Sequence, residues 1–460
     1  MTLKRLYEDG LAHASYLVGC PQSGEALVLD PNRNLGLYLG EAAKERLRIV
    51  AVAETHIHAD YLSGARELAS RAGATLYVSG EGPKSGRYEF LGERNVRPLK
   101  DGDSVEVGAV RLNAMLTPGH TQEHLTFLAT DTKVGESPVA AFTGDFVFVG
   151  DVGRPDLMES AVGQKGAAEP AARELFRSLE RFRGLPGHLL VWPAHGAGSA
   201  CGRSLGGSPV SSLGYELATS WAFQVAREEE FVREVLQGQP EPPPYYALMK
   251  RENRCGPPAS PSCGPPRRVG AVPEGALVLD VRLTPEYEEA HLKDSLHMPS
   301  YRSFLQYAGW VVPHGRPITL VASDENQACR AALALSLIGI DEATTWAGPE
   351  IVLTAKPDRV RSTERAASGS LRPGALLLDV RSEHEWSAGH IEGAVNIPFC
   401  RLEERAGELP RNAPIEVYCS GGMRSAISVS ILERAGLADV RDVVDGFDGY
   451  VRRTGAAVAR

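Results

Sequence analysis

No run of about 18 consecutive apolar residues occurs in the chain, so no stretch has the length a membrane-spanning helix requires. The first ten residues, Met1 to Gly10, mix charged and apolar types and lack the apolar core of about 7–15 residues that marks a secretory signal. A cytoplasmic protein with no membrane partner is expected. Basic blocks are also missing, and the net charge is a modest -9; without clustered cations to neutralise phosphates, nucleic acid is not an expected partner. Cysteine is scarce, with seven spread over 460 residues. An odd, scattered set argues against a disulfide framework and for reduced thiols, some of them reactive.

Apolar residues, 43% of the chain, are enough to build globular cores, and the length points to about three domains. The first is organised around Thr55-His56-Ile57-His58-Ala59-Asp60, which follows the apolar run Leu47 to Ala53. That run has the composition of a buried strand. In an extended or tightly turned segment, residues two apart project to one side, so His56, His58 and Asp60 are candidates to converge on a metal.

A helix is expected over Ser63 to Ala72, stopped by Gly73, and then a strand over Ala74 to Val78. Three further strand-like runs end on a possible ligand: Val110 to Leu116 before His120, Val139 to Gly144 before Asp145, and Leu189 to Ala194 before His195. A single histidine after a strand is usually structural. Four such endings within 200 residues point to one site.

With these residues the chain resembles the metallo-β-lactamase superfamily over roughly residues 1–250, which implies an αβ/βα sandwich carrying metal at its strand edges. The residues carried over are His56, His58, Asp60, His120, Asp145 and His195. The superfamily pattern His-x-His-x-Asp-His is broken at its last position by Tyr61. A second zinc loses an imidazole there, so a mononuclear site is expected. Two histidines and a carboxylate with open positions suit non-haem Fe(II).

The stretch Thr143 to Leu157, containing Gly150-Asp151-Val152-Gly153-Arg154-Pro155, looks like the persulfide dioxygenase branch. That resemblance implies one Fe(II) per chain on His56, His120 and Asp145, with His58, Asp60, Tyr61 and His195 beside the ligands, orienting them or water. Arg154 is a candidate to hold a substrate carboxylate, against the plain alternative of a surface arginine. Cys201, six residues after His195, is a candidate catalytic thiol at the mouth of the site. Tyr215 to Val235 has helical spacing and no chemical signal.

Residues 237–267 carry Pro242-Pro243-Pro244, Cys255-Gly256-Pro257-Pro258 and Cys263-Gly264-Pro265-Pro266, a density of breakers expected to leave no packed element. The core of this boundary is taken as a linker over 251–268, and the two cysteines are not expected to hold zinc. Beyond it the chain repeats: Leu277 to Arg282 returns as Leu376 to Arg381, 99 residues later. Such a period means two small α/β domains rather than a solenoid. They look like rhodanese domains, over 269–356 and 357–460.

In the second copy Cys419-Ser420-Gly421-Gly422-Met423-Arg424 follows a short strand and precedes a helix expected from Ser425. A thiol there meets converging N–H groups and the positive end of a helix dipole. The loop resembles the rhodanese active loop, which implies a Cys419 persulfide, Arg424 as fixed positive charge, and Ser420, Gly421, Gly422 and Met423 as the cradle. In the first copy Ala322 stands in the cysteine's place, followed by the acidic, arginine-free Ser323 to Gln327; it is expected to be a degenerate domain. Cys329 is expected in its core.

The expected whole is a multidomain α/β and α+β protein, a persulfide dioxygenase fused to a sulfurtransferase. It would act as a homo-oligomer on a small-molecule thiol persulfide, O2 and sulfite or thiosulfate. Two rivals stay open: a zinc thioester hydrolase of the glyoxalase II type, and a non-catalytic sulfur-relay scaffold.

Overall fold

The structure is a computed structural model describing residues 1–260 and 264–455; Cys263 of the linker pair lies outside the described residues. The chain divides into two compact units, Met1–Ser262 with Ser336–Gly339, and Cys263–Leu335 with Ile340–Arg460.

The first unit contains two six-stranded sheets. In one, Thr2–Glu8, His13–Cys20 and Glu25–Leu29 pair antiparallel, then Arg48–Ala53, Thr75–Ser79 and Val96–Leu99 continue in parallel. The other runs Ser104–Val107, Val110–Leu116, Leu125–Asp131, Ala140–Gly144, Leu190–Pro193 and Ser211–Ser212. Apolar residues on their facing sides, including Ala14, Val18, Leu27, Ala51, Leu112 and Phe127, close one apolar core between the sheets. On the outer faces the amphipathic helices Leu35–Lys44 and Ala65–Ala72 cover one sheet, and Ala168–Arg183 and Glu228–Leu236 the other. This is the αβ/βα sandwich that the superfamily resemblance implies.

Several local expectations shift. The helix begins at Ala65 rather than Ser63, because the Ser63 hydroxyl accepts the Ala65 N–H at 3.0 Å and closes a turn before the helix. Tyr215 to Val235 is not one helix. It is Leu213–Thr219, Trp221–Gln224 and Glu228–Leu236, interrupted where Ser220 and Val225 turn extended. The breaker-rich boundary does contain a packed element: Tyr246–Cys255 is helical and buries Tyr246, Met249 and Asn253. The prolines flank this helix, so they delimit it without interrupting its hydrogen bonds.

The second unit holds two five-stranded parallel sheets with one strand order. Arg267–Arg268, Thr345–Ala347, Ile318–Val321, Leu277–Asp280 and Leu296–His297 form one; Glu364–Ala366, Val440–Val443, Ile415–Tyr418, Leu376–Asp379 and Val395–Asn396 form the other. The repeated Asp-Val-Arg has a structural use. Arg282 Nη2 donates to Asp280 at 2.6 Å and to the Ala290 carbonyl at 2.9 Å, and Arg381 does the same to Asp379 at 2.6 Å and the Gly389 carbonyl at 2.8 Å. Each buried ion pair ties a strand end to the loop beyond it, and its extra hydrogen bond offsets the desolvation cost. Cys329 is only half-buried; it lies on the partly solvated side of the helix Glu325–Leu337. Among the described residues no helix is long and apolar enough to cross a membrane.

Candidate metal centre and sulfur-transfer loop

Four strand ends in the first unit converge. Arg48–Ala53 leads to His56, Val110–Leu116 to His120, Ala140–Gly144 to Asp145, and Leu190–Pro193 to His195. One ligand atom each of His56, His120 and Asp145 lies within 4.8 Å of the others, and the same holds for Asp60, His195 and Cys201. His120 Nε2 is 3.5 Å and His56 Nε2 3.9 Å from Asp145 Oδ2, while His195 Nε2 is 3.4 Å from Asp145 Oδ1 and 3.3 Å from Asp60 Oδ2.

Hydrogen bonds fix the tautomers. His120 Nδ1 donates to the Arg154 carbonyl at 3.0 Å, and His195 Nδ1 to the Ala12 carbonyl at 3.2 Å. The Thr55 hydroxyl donates to Asp30 Oδ2 and therefore accepts from His56 Nδ1, each at 2.9 Å. All three rings are left with the Nε2 lone pair aimed into the site. Burial, reinforced for His56 by His58 and for His120 by Lys250, holds both rings neutral, well below the usual imidazole range. Burial likewise raises the Asp145 carboxyl to about 6, with His195 opposing.

His56 Nε2, His195 Nε2 and both carboxylate oxygens of Asp60 and Asp145 are buried with no hydrogen-bond partner. Orphaned acceptors gathered at one point are costly unless something binds them. Neutral imidazoles and carboxylates are the donors a divalent metal takes, so the residues fit a metal.

His58 stays out of this cluster. Its Nε2 is 3.3 Å from Asp30 Oδ1, and its ring is packed between His56 and Tyr61, with centroids 4.1 and 4.5 Å away. Despite burial, Asp30 raises its pKa to about 9. Tyr61 is fully buried, and its hydroxyl donates to the Asp30 carbonyl at 3.2 Å, away from the site.

Arg154 is neither a surface arginine nor free for a substrate carboxylate. It is 1% exposed. Its Nε and Nη2 donate to Asp156 at 2.8 and 2.7 Å, and its Nη1 to the Ala200 carbonyl at 3.3 Å. With its own N–H on the Cys201 carbonyl at 3.1 Å, it ties the His120 contact to the cysteine loop. Cys201 is not at the mouth but buried beside Asp60 and His195. Burial and the carboxylates of Asp145 and Asp60 push its thiol well above the usual range, which keeps it protonated.

Sequence reasoning missed several neighbours. Asp30 anchors the motif, accepting the Thr55 N–H at 2.7 Å. His124 is held neutral by burial, near 3, and its Nε2 accepts the Asp145 N–H at 3.1 Å. Gly144 makes room for it: φ is +52°, and a Cβ would stand 2.6 Å from that nitrogen. Lys250, on the helix after the triple proline, has its pKa lowered by burial, with the carboxylates of Glu123 and Asp145 opposing. Asp30 directly follows the strand Glu25–Leu29 and His124 lies four residues after His120, so both carried a local signal; Lys250 carried none.

In the second unit Cys419 is buried at the end of Ile415–Tyr418, and Met423–Arg434 starts two residues earlier than the sequence suggested. Its sulfur accepts the Gly422 N–H at 3.1 Å and lies 3.7 Å from the Ser425 hydroxyl. Gly422 has φ +95°, and a Cβ there would meet the Val444 carbonyl at 2.3 Å, so only glycine closes this loop. Arg424 is engaged: its Nη1 and Nη2 each donate to Glu385 at 2.7 Å, and Nη2 also reaches the Ser420 hydroxyl at 3.1 Å. Its charge is thus neutralised by a residue outside the loop motif.

The first copy closes the equivalent space. Gln327, in the place of Arg424, accepts the Ser323 N–H at 2.7 Å and donates to the Val281 carbonyl at 3.0 Å. Ala322, in the place of Cys419, is fully buried.

Known proteins agree with this geometry. The metallo-beta-lactamase superfamily matches residues 9–195, and the rhodanese-like domain matches residues 363–453. Mitochondrial persulfide dioxygenase ETHE1 of Bos taurus is 31% identical over 195 residues, covering 42% of this chain and 67% of the relative. Hydroxyacylglutathione hydrolase of Gloeobacter violaceus is 33% identical over 150 residues, covering 32% of this chain and 50% of that protein. A crystal structure of a metallo-beta-lactamase from Staphylococcus aureus subsp. aureus COL superposes with a TM-score of 0.70 at 37% identity, covering 76% of this chain and 99% of its own. Sandwich, converging ligands and C-terminal thiol loop together place the chain in the metallo-beta-lactamase superfamily, fused to a C-terminal rhodanese-like domain.

Proposed function

We propose that the chain is a persulfide dioxygenase fused to a sulfurtransferase. The N-terminal domain, drawn at residues 1–250 from sequence and extended here by the helix ending at Cys255, would oxidise a small thiol persulfide with O2. The domain over 357–460 would move sulfane sulfur through Cys419, and 269–356 is its degenerate, structural copy. A cytoplasmic homo-oligomer is part of the proposal.

The observation that carries it is the withdrawal of His58 to Asp30 at 3.3 Å. It leaves His56, His120 and Asp145, the two-histidine, one-carboxylate set that suits Fe(II) with open positions. One Fe(II) bound there supplies the redox chemistry by which O2 oxidises sulfane sulfur. The balance is RSS⁻ + O2 + H2O → RSH + SO3²⁻ + H⁺: the S–S bond breaks, the outer sulfur is oxidised, and O2 is reduced.

The chain's residues hold the surroundings. The Arg154 carbonyl and Thr55 hydroxyl orient the two rings, and the His124 ring orients the Asp145 backbone. Asp60 and His195, 3.3 Å apart, are placed to hold and pass the protons of the thiol and water. In the second domain a Cys419 persulfide would give its outer sulfur to sulfite, forming thiosulfate and a Cys419 thiolate stabilised by the Gly422 N–H.

An oxygen electrode run across glutathione, coenzyme A and other persulfides, with metal quantification, tests this reading. One iron per chain with O2 uptake is expected. Two zinc ions per chain with acyl-thioester hydrolysis and no O2 uptake would establish the hydrolase instead, and metal-bound protein inert towards every persulfide would leave a relay scaffold.

A further inference from the structure

The second unit holds a cavity of about 500 Å³ whose lining includes no residue of the Cys419 loop. Its floor is apolar, formed by Val272, Leu277 and Leu292, and its rim carries Lys293, Arg316, Arg359 and Arg434. Only two carboxylates, Glu274 and Asp294, share the lining, which leaves two positive charges in excess.

Among the described residues none of the four cations forms an ion pair, although arginines elsewhere in this chain are mostly paired with carboxylates. The half-buried Arg434 spends one N–H on the Asp294 carbonyl at 2.7 Å. Its pKa is lowered, first by burial and also by the repulsion of Arg316, with Glu403 and Asp294 opposing. Two guanidinium groups that line one concavity and repel each other, with the Glu403 and Asp294 carboxylates acting on Arg434, leave a positive excess in the lining. The other two cations lie on adjoining chain crossings, where the Lys293 N–H donates to the Arg359 carbonyl at 2.8 Å.

We infer that this cavity binds a phosphate-bearing small organic anion, with the Arg316 and Arg434 guanidinium groups on the phosphate and the apolar floor under the organic body. Planar guanidinium groups pair with phosphate oxygens bidentately. The positive excess in the lining suits a multiply charged anion. Size selects the organic form: a cavity of this volume is that of a small-molecule site, far larger than a bare oxyanion fills. The cavity uses no residue of the proposed metal centre or of the Cys419 loop, so it stands apart from the proposed activity.

Isothermal titration of the full-length protein with ADP, inorganic phosphate and thiosulfate tests this. ADP is expected to bind, and the Arg316→Ala/Arg434→Ala double variant to bind it at least about tenfold more weakly, the cost of one charge-assisted contact or more. Arg316→Ala alone, at an exposed side chain, provides a variant that folds should the double one not. An unchanged melting temperature of the variants confirms an intact unit. No ADP binding, ADP binding unchanged in the variants, or phosphate or thiosulfate binding as tightly as ADP would each overturn the inference.

Discussion

Asp30 Oδ1 stands 3.3 Å from His58 Nε2, and through this one contact a histidine of the metal-binding motif belongs to the scaffold rather than to the cluster. The same carboxylate takes the N–H and hydroxyl of Thr55, the residue that orients His56. Asp30 therefore decides both which histidine is available and how it is turned.

Replacing His56, His120 or Asp145 by Ala is expected to abolish stoichiometric metal binding and O2 uptake. His58→Ala should retain metal and lose affinity by about 10–100-fold, the range for a residue that orients ligands. Metal content after dialysis, read beside O2 consumption, distinguishes them. Equal metal loss in His58→Ala and His56→Ala would place His58 among the ligands.

Metal removal should destabilise the N-terminal unit, since the buried His56 Nε2 and Asp145 carboxylate oxygens then lose their partner. A chelator is expected to lower its melting temperature by several degrees, and added metal to restore it in a concentration-dependent way. A melting curve indifferent to chelator would contradict this.

Cys419→Ser is expected to stop sulfur transfer while leaving O2 uptake intact. The product would then shift from thiosulfate to sulfite. An unchanged product ratio, measured by chromatography of the thiol-labelled anions, would show that the two reactions are uncoupled.

The Glu385 carboxyl supplies a pH signature. Burial would raise its pKa, but the hydrogen bonds and charge of Arg424 more than offset this and hold it down at about 2. A depressed carboxyl stabilises the fold above its unfolded value of about 4.3 and loses that contribution as pH falls towards 2. Glu385→Gln should cost about 1–3 kcal/mol at neutral pH and flatten the acid limb of the stability profile. It should also slow sulfur transfer, since Glu385 holds Arg424 and Ser420. Denaturant midpoints between pH 2 and 7 provide the check.

Asp442 has the opposite sign. It is buried with Glu288, and burial first, then Glu288, raises its pKa, with Ser425 opposing and Arg365 beside the pair. A raised carboxyl contributes stability at low pH that is lost as pH rises. Asp442→Asn should make the stability of this unit less dependent on pH from about 4 upward. A variant whose profile falls as steeply as the parent's would rule out a proton held on the pair.

Much of the site was legible because candidate ligands and their neighbours at strand ends leave local traces: His56, His120, Asp145 and His195 each follow an apolar run, and Cys419 precedes its glycines. The duplication was legible because Asp280-Val281-Arg282 and Asp379-Val380-Arg381 serve the same ion pair twice. Lys250 and Glu385 left no such trace, since they reach the sites from other segments. Arg154 was misplaced because its burial and its contact with the Ala200 carbonyl arise only when the loops pack, although its carboxylate partner Asp156 is two residues away.

The amino-acid sequence by itself determined which elements form and which chemical groups are present, because periodicity, turn residues and motif spacing are local properties of the chain. Tertiary structure decided what those groups can do. The ring that faces the metal cluster, the arginine already neutralised, and the cations left unpaired around a cavity all depend on partners far apart in sequence. Burial sets how strongly those partners act, since a charge or lone pair removed from water answers to whatever few groups surround it.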